Sequence, residues 1–93
     1  MKDTVEIVYQ QGGMMEFAET GIYPEYLTVY SPKWKKRWRK SISGEKKQGS
    51  LYVGKQLVYT YKCDEEREEK MPEIRDAEGK LVEISSYSHI MAD

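Results

Sequence analysis

The chain has 93 residues, 15 Lys plus Arg against 16 Asp plus Glu, a formal charge of −1 and 39% hydrophobic residues. That length supports one small domain, residues 1–93, with one modest core, and excludes a large catalytic fold with an interdomain cleft. The eight tyrosines and two tryptophans mean that much of the apolar volume carries a polar atom in need of a partner or of water.

In chain order, Thr4 to Gln10 alternates Val5, Ile7 and Tyr9 against Glu6, Val8 and Gln10, the period of a half-buried strand. Gln11, Gly12 and Gly13 form a turn, and Met14 to Glu19, with Met15 and Phe17 on one face, completes a hairpin. Thr20 and Gly21 break the pattern and Pro24 bars a central ladder position, after which Tyr26 to Tyr30 is β-branched and aromatic and suits a third strand.

Ser31 before Pro32 is a helix-start signature: the hydroxyl caps a free amide, and proline at the first helical position sacrifices no bond. A helix over Lys33 to Ser43, stopped by Gly44, aligns Trp34, Trp38 and Ile42 towards a sheet and turns Lys33, Lys36, Arg37 and Lys40 to solvent. The competing strand puts Lys36 and Lys40 on one face with Trp34, Trp38 and Ile42, a poorer core surface, so the helix is expected.

Glu45 to Ser50 is polar and loop-like, while Leu51 to Lys62 resumes strand alternation with a turn or bulge at Gly54. Asp64 can cap a short helical turn before Pro72, although a loop fits as well. Asp76, Ala77, Glu78 and Gly79 form a turn between Ile74 and Leu81, and residues 88–93 are expected to fray. These elements predict an α+β fold: an antiparallel sheet of about five strands with one short amphipathic helix, the alternative being a small all-β barrel.

The near-zero net charge conceals segregation. Residues 1–32 carry −4, 33–47 carry +7, 48–63 carry +2, 64–78 carry −5 and 79–93 carry −1. Such blocks are commonly solvated faces, and an acidic block can fold back on a basic one. The basic block, Lys33, Trp34, Lys35, Lys36, Arg37, Trp38, Arg39 and Lys40, interleaves six cations with two indoles. Cations neutralise phosphates and exposed aromatic rings stack on unpaired bases, so the block is a candidate interface for single-stranded or structured nucleic acid. Tyrosines 26, 30, 52, 59 and 61 could extend a stacking platform. The competing reading makes both tryptophans core anchors and the cations solubilising.

Other chemistry has little support. Gly49 to Gly54 followed by Lys55 has the glycine spacing of a phosphate loop, but Gln56 replaces the required hydroxyl and no helix pattern follows. The acidic run Asp64, Glu65, Glu66, Glu68 and Glu69 lacks calcium-loop spacing. With one cysteine, Cys63, and one histidine, His89, neither an internal disulfide nor a Cys/His metal cluster can be assembled, and no cofactor is expected. No signal-peptide core or membrane-length apolar run occurs, so a cytoplasmic protein without membrane attachment is expected. The expected function is a non-enzymatic module that binds nucleic acid through residues 33–40. The alternative is a regulator or inhibitor of mobile-element type, docking on a larger protein through its bipolar surface with Trp34 and Trp38 as anchors.

Overall fold

The computed structural model of the chain describes residues 2–44, 46–63 and 71–91. It holds strands β1 (Thr4–Gln11), β2 (Glu25–Ser31), β3 (Lys36–Ser41), β4 (Gln48–Val53), β5 (Gln56–Lys62), β6 (Glu73–Asp76) and β7 (Glu83–Met91), with one helix, α1 (Met14–Thr20). They form a four-stranded sheet in the order β3-β2-β1-β7 and a three-stranded sheet in the order β4-β5-β6. The architecture is therefore mostly β, with two open sheets, which corrects both the α+β expectation and the closed-barrel alternative.

Period-2 alternation builds the core. Val5, Ile7 and Tyr9 of β1 and Leu27 and Val29 of β2 turn inward with Trp38 and Ile42. They meet Leu51, Val58, Tyr59, Tyr61, Ile74 and Val82 from the region of the second sheet. The Trp38 and Tyr59 rings touch edge to face, with centroids 5.8 Å apart, so an aromatic contact joins β3, at the edge of one sheet, to β5, the middle strand of the other.

Three local expectations fail for identifiable reasons. Met14 to Glu19 is helical: Met, Glu and Ala favour helix and no β-branched residue intervenes before Thr20. Gly21 ends it in the left-handed conformation, its N–H donating to the Phe17 carbonyl. Residues 33–43 form a turn and an edge strand in place of a helix. Ser31 does cap an amide, its Oγ accepting the Trp34 N–H at 3.2 Å, but Lys35 at φ 53° then reverses the chain and β3 runs back along β2. The lysines that spoil the inner face of this strand are tolerable because β3 is an edge, where long stems reach round to water. Ser88 to Met91 does not fray but continues β7, which pairs in parallel with β1.

Two turns read from sequence are present, at Gly54 and at Asp76 to Gly79, whereas Gln11 belongs to β1 and neither Gly12 nor Gly13 takes the positive φ of a hairpin turn. Gly54, at φ 61°, and Lys55 form the two-residue connection of the β4–β5 hairpin, with Val53 opposite Gln56. Asp76 Oδ1 accepts the N–H groups of Glu78 and Lys80, and Gly79 takes φ 85°. The acidic run 64–69 and the helical turn suggested there lie outside the described residues. Among the described residues, no helix is long and apolar enough to cross a membrane.

Candidate nucleic-acid interface

The basic block begins in a turn held from beneath. Tyr59 donates its phenol proton to Asp3 Oδ1 at 2.6 Å, and the Ser31 hydroxyl, 2.9 Å from the Tyr59 oxygen, is left to donate to it. Because Ser31 also accepts from the Trp34 amide, a chain of hydrogen bonds runs from Trp34 through Ser31 and Tyr59 to Asp3. It spans both sheets and fixes the turn that presents Lys33 and Lys35. Lys33 Nζ lies 4.0 Å from Asp3 Oδ2 and 5.8 Å from the Trp34 ring centroid.

β3 then divides the block between two faces. Lys36, Trp38 and Lys40 stand opposite Ser31, Val29 and Leu27, three buried residues of β2, and so point to the core side. Trp38 is 8% exposed, and its indole Nε1 donates to the Tyr52 carbonyl at 2.9 Å. Stacking Trp38 on a base would require the core to open. Trp34 is half-buried and packs on the core cluster. Lys36 keeps its ammonium outside, 6.0 Å from the Trp38 centroid.

Arg37 and Arg39 point the other way, onto the outer face of the sheet. The Arg37 guanidinium lies 5.2 Å from the Tyr30 centroid and that of Arg39 4.0 Å from the Tyr26 centroid. Tyr26 and Tyr30 are half-buried on alternate outer positions of β2 with Thr28 between them. The outcome is a strip of two guanidinium–tyrosine pairs with Lys33 and Lys35 exposed in the turn beside it and Lys36 exposed at the sheet edge from the other face of β3. Among the described residues, Lys33 alone of the six cations has a carboxylate within ion-pair distance. Glu6, opposite Tyr30 on β1, puts one negative charge beside the strip.

The remaining tyrosines of the suggested platform are elsewhere. Tyr59 and Tyr61 are buried, and Tyr52 is exposed on the second sheet. Sequence reading singled out the cations, assigned the stacking first to Trp34 and Trp38, and offered Tyr26 and Tyr30 only among five tyrosines of a wider platform; these two are the partners of the arginines. The signal that could have found them is the alternation of Tyr26, Thr28 and Tyr30 beside that of Arg37 and Arg39 across a Ser-Pro turn.

A second polar cluster lies at the far end of β1. Tyr9 donates to Glu25 Oε1 at 2.8 Å, Lys47 Nζ reaches Glu25 Oε2 at 2.8 Å, and the His89 ring sits 4.7 Å from that of Tyr9. Burial, together with the hydrogen bond to Glu25, pushes the Tyr9 phenol well above its usual range. Burial and the bond to Asp3 do the same at Tyr59, where the Ser31 bond opposes them. Such phenols donate hydrogen bonds and resist serving as bases. Among the described residues, no three His, Cys, Asp or Glu side chains gather to hold a metal. The glycine pair that resembled a phosphate loop belongs to the β4–β5 hairpin, where no helix N-terminus stands behind it. Cys63 is half-buried, its amide donating to the Lys47 carbonyl. A comparison with protein-family models, curated proteins and solved structures found no match.

Proposed function

We propose that the protein is a non-enzymatic module that binds single-stranded or structured nucleic acid on the outer face of β2 and β3. The reading rests on one observation: the guanidinium groups of Arg37 and Arg39 lie over the Tyr30 and Tyr26 rings on an exposed sheet face, with Lys33 and Lys35 exposed in the adjoining turn. Unpaired bases stack on aromatic and guanidinium planes, and a base entering this strip meets both. Lys33, Lys35 and Lys36 stand at the turn and edge where a phosphate backbone would pass, and Lys40 adds charge from the inner side. Trp34 and Trp38 serve by holding the strand in place.

The test is fluorescence anisotropy of a labelled single-stranded oligonucleotide over a salt series. With four or five phosphate contacts, log affinity falls with log salt at a slope of roughly −3. Replacing Arg37 and Arg39 together by Ala lowers affinity tenfold or more and leaves the fold intact. Binding that ignores both salt and this replacement would refute the reading.

A second reading, docking on a larger protein, draws on a different place. Met15, Phe17, Ile22 and Tyr23 are exposed around α1, with the Phe17 and Tyr23 rings stacked at 4.3 Å. Contact through that apolar cluster would change little with salt.

A further inference from the structure

The two edges of the four-stranded sheet are built differently. β3 carries Lys36, Arg37, Arg39 and Lys40 among six residues, and charged side chains are the usual guard against one sheet edge pairing with another. β7, the opposite edge, is the longest strand among the described residues, nine residues or about 30 Å, with no proline, lysine or arginine. Its backbone pairs with β1, Ile84 and Tyr87 pack on the core, and most of its residues are exposed, Ile90 at 49% and Met91 at 67%. In the second sheet, β6 has four residues and three charges, and the Tyr52 carbonyl of β4 is occupied by the Trp38 indole. β7 is thus the long edge with the fewest guards: a bulge at Ser85 interrupts its start, and Ser86 to Met91 then runs in regular register beside β1.

We propose that β7 pairs with β7 of a second copy of this chain, antiparallel across a two-fold axis, joining the two four-stranded sheets into one of eight strands. The charge pattern favours a second copy. From Ile84 to Met91 there is no Lys, Arg, Asp or Glu, so no like-charge row opposes self-pairing, and Glu83, held by Lys2 at 3.2 Å, lies beyond the paired stretch. In the register centred on Ser88, Ser88 meets Ser88, Ser86 meets Ile90 and Tyr87 meets His89, each pair on one face of the sheet. Capture of a foreign strand takes its specificity from pockets for alternate side chains, whereas Ser85, Ser86 and Ser88 offer only small exposed hydroxyls. An isologous pairing needs no pocket, only a strand that matches itself.

The contact is confined to one strand, so a concentration-dependent equilibrium in roughly the micromolar range is expected. Sedimentation velocity of the full chain, without nucleic acid, is the test. The mass moves from 10.9 kDa at low concentration towards twice that value at high concentration. Replacing Ser86 and Ser88 together by Lys, at exposed outer positions, holds the protein at the monomer mass with an unchanged circular dichroism spectrum. A wild-type chain that stays monomeric at every concentration, or a doubly substituted chain that still dimerises, overturns the proposal. Should the substituted chain misfold, hydrogen exchange of the wild type decides: amides of residues 86–90 gain protection on concentration if β7 pairs, and their exchange is unchanged if it does not. Neither measurement depends on the nucleic-acid reading, so the two proposals stand or fall separately.

Discussion

Tyr9 and Tyr59 differ from Tyr26 and Tyr30 in nothing but position on a strand. The first pair faces inward, each phenol donating a hydrogen bond to a carboxylate, Glu25 or Asp3. The second pair faces outward and lends its ring faces to Arg39 and Arg37. Tyrosine has an apolar body with a polar tip, so the period of a strand decides which half is used. Inward, the tip satisfies a buried hydrogen-bond network; outward, the face becomes a binding surface.

Truncating inner and outer tyrosines in turn separates the two roles. Tyr59→Ala removes a fully buried ring that touches Trp38 and bonds Ser31 and Asp3, and should destabilise the fold by about 3 to 5 kcal/mol, read by urea unfolding. Next comes alkaline titration. The phenols of Tyr9, Tyr59 and Tyr61 are raised by burial in the folded state, so the unfolded chain loses these protons first as pH climbs. Their contribution is complete below about pH 10 and is lost above it, each phenol lowering stability by about 1.4 kcal/mol per pH unit until it ionises in the folded state. Unfolding measured from pH 8 to 11 should show this fall, and Tyr59→Phe should make it shallower; equal slopes would mean that Tyr59 does not hold its proton.

The smallest effect on stability is expected outside. Tyr26→Ala and Tyr30→Ala each remove a half-buried ring and one exposed cation contact, costing under about 1 kcal/mol in the same urea assay. Oligonucleotide affinity should nonetheless drop by roughly 5- to 100-fold for each, the worth of one stacked base. If these outer substitutions destabilise as much as Tyr59→Ala, the division between the two pairs is wrong.

What sequence reading recovered was local. β1, β2 and the hairpins at Gly54 and Asp76 to Gly79 announce themselves through period-2 alternation and turn chemistry within about ten residues. What it missed depended on distant partners. Ser31 and Pro32 offer the same cap to a helix and to a turn, and the choice fell to Trp38, whose indole finds Tyr52 and Tyr59 on another sheet. The exposed residues of β7 carry little alternation of their own, since that strand is defined by β1, some eighty positions earlier. For the interface, composition located the six cations, but only the β2–β3 register reveals that two of them cover tyrosines.

The parallel pairing of β1 with β7 has a consequence for synthesis. The strands β1, β2 and β3 are near neighbours in sequence, whereas β7 follows the whole of the second sheet. While a ribosome is still adding residues 42–82, β1 is a bare edge with Val5, Ile7 and Tyr9 on one side of it. Completion of the sheet must wait for the last strand to leave the exit tunnel, and its closure over so long a chain separation is slow. A nascent chain stalled before residue 83 would therefore present the strand that the finished molecule keeps innermost.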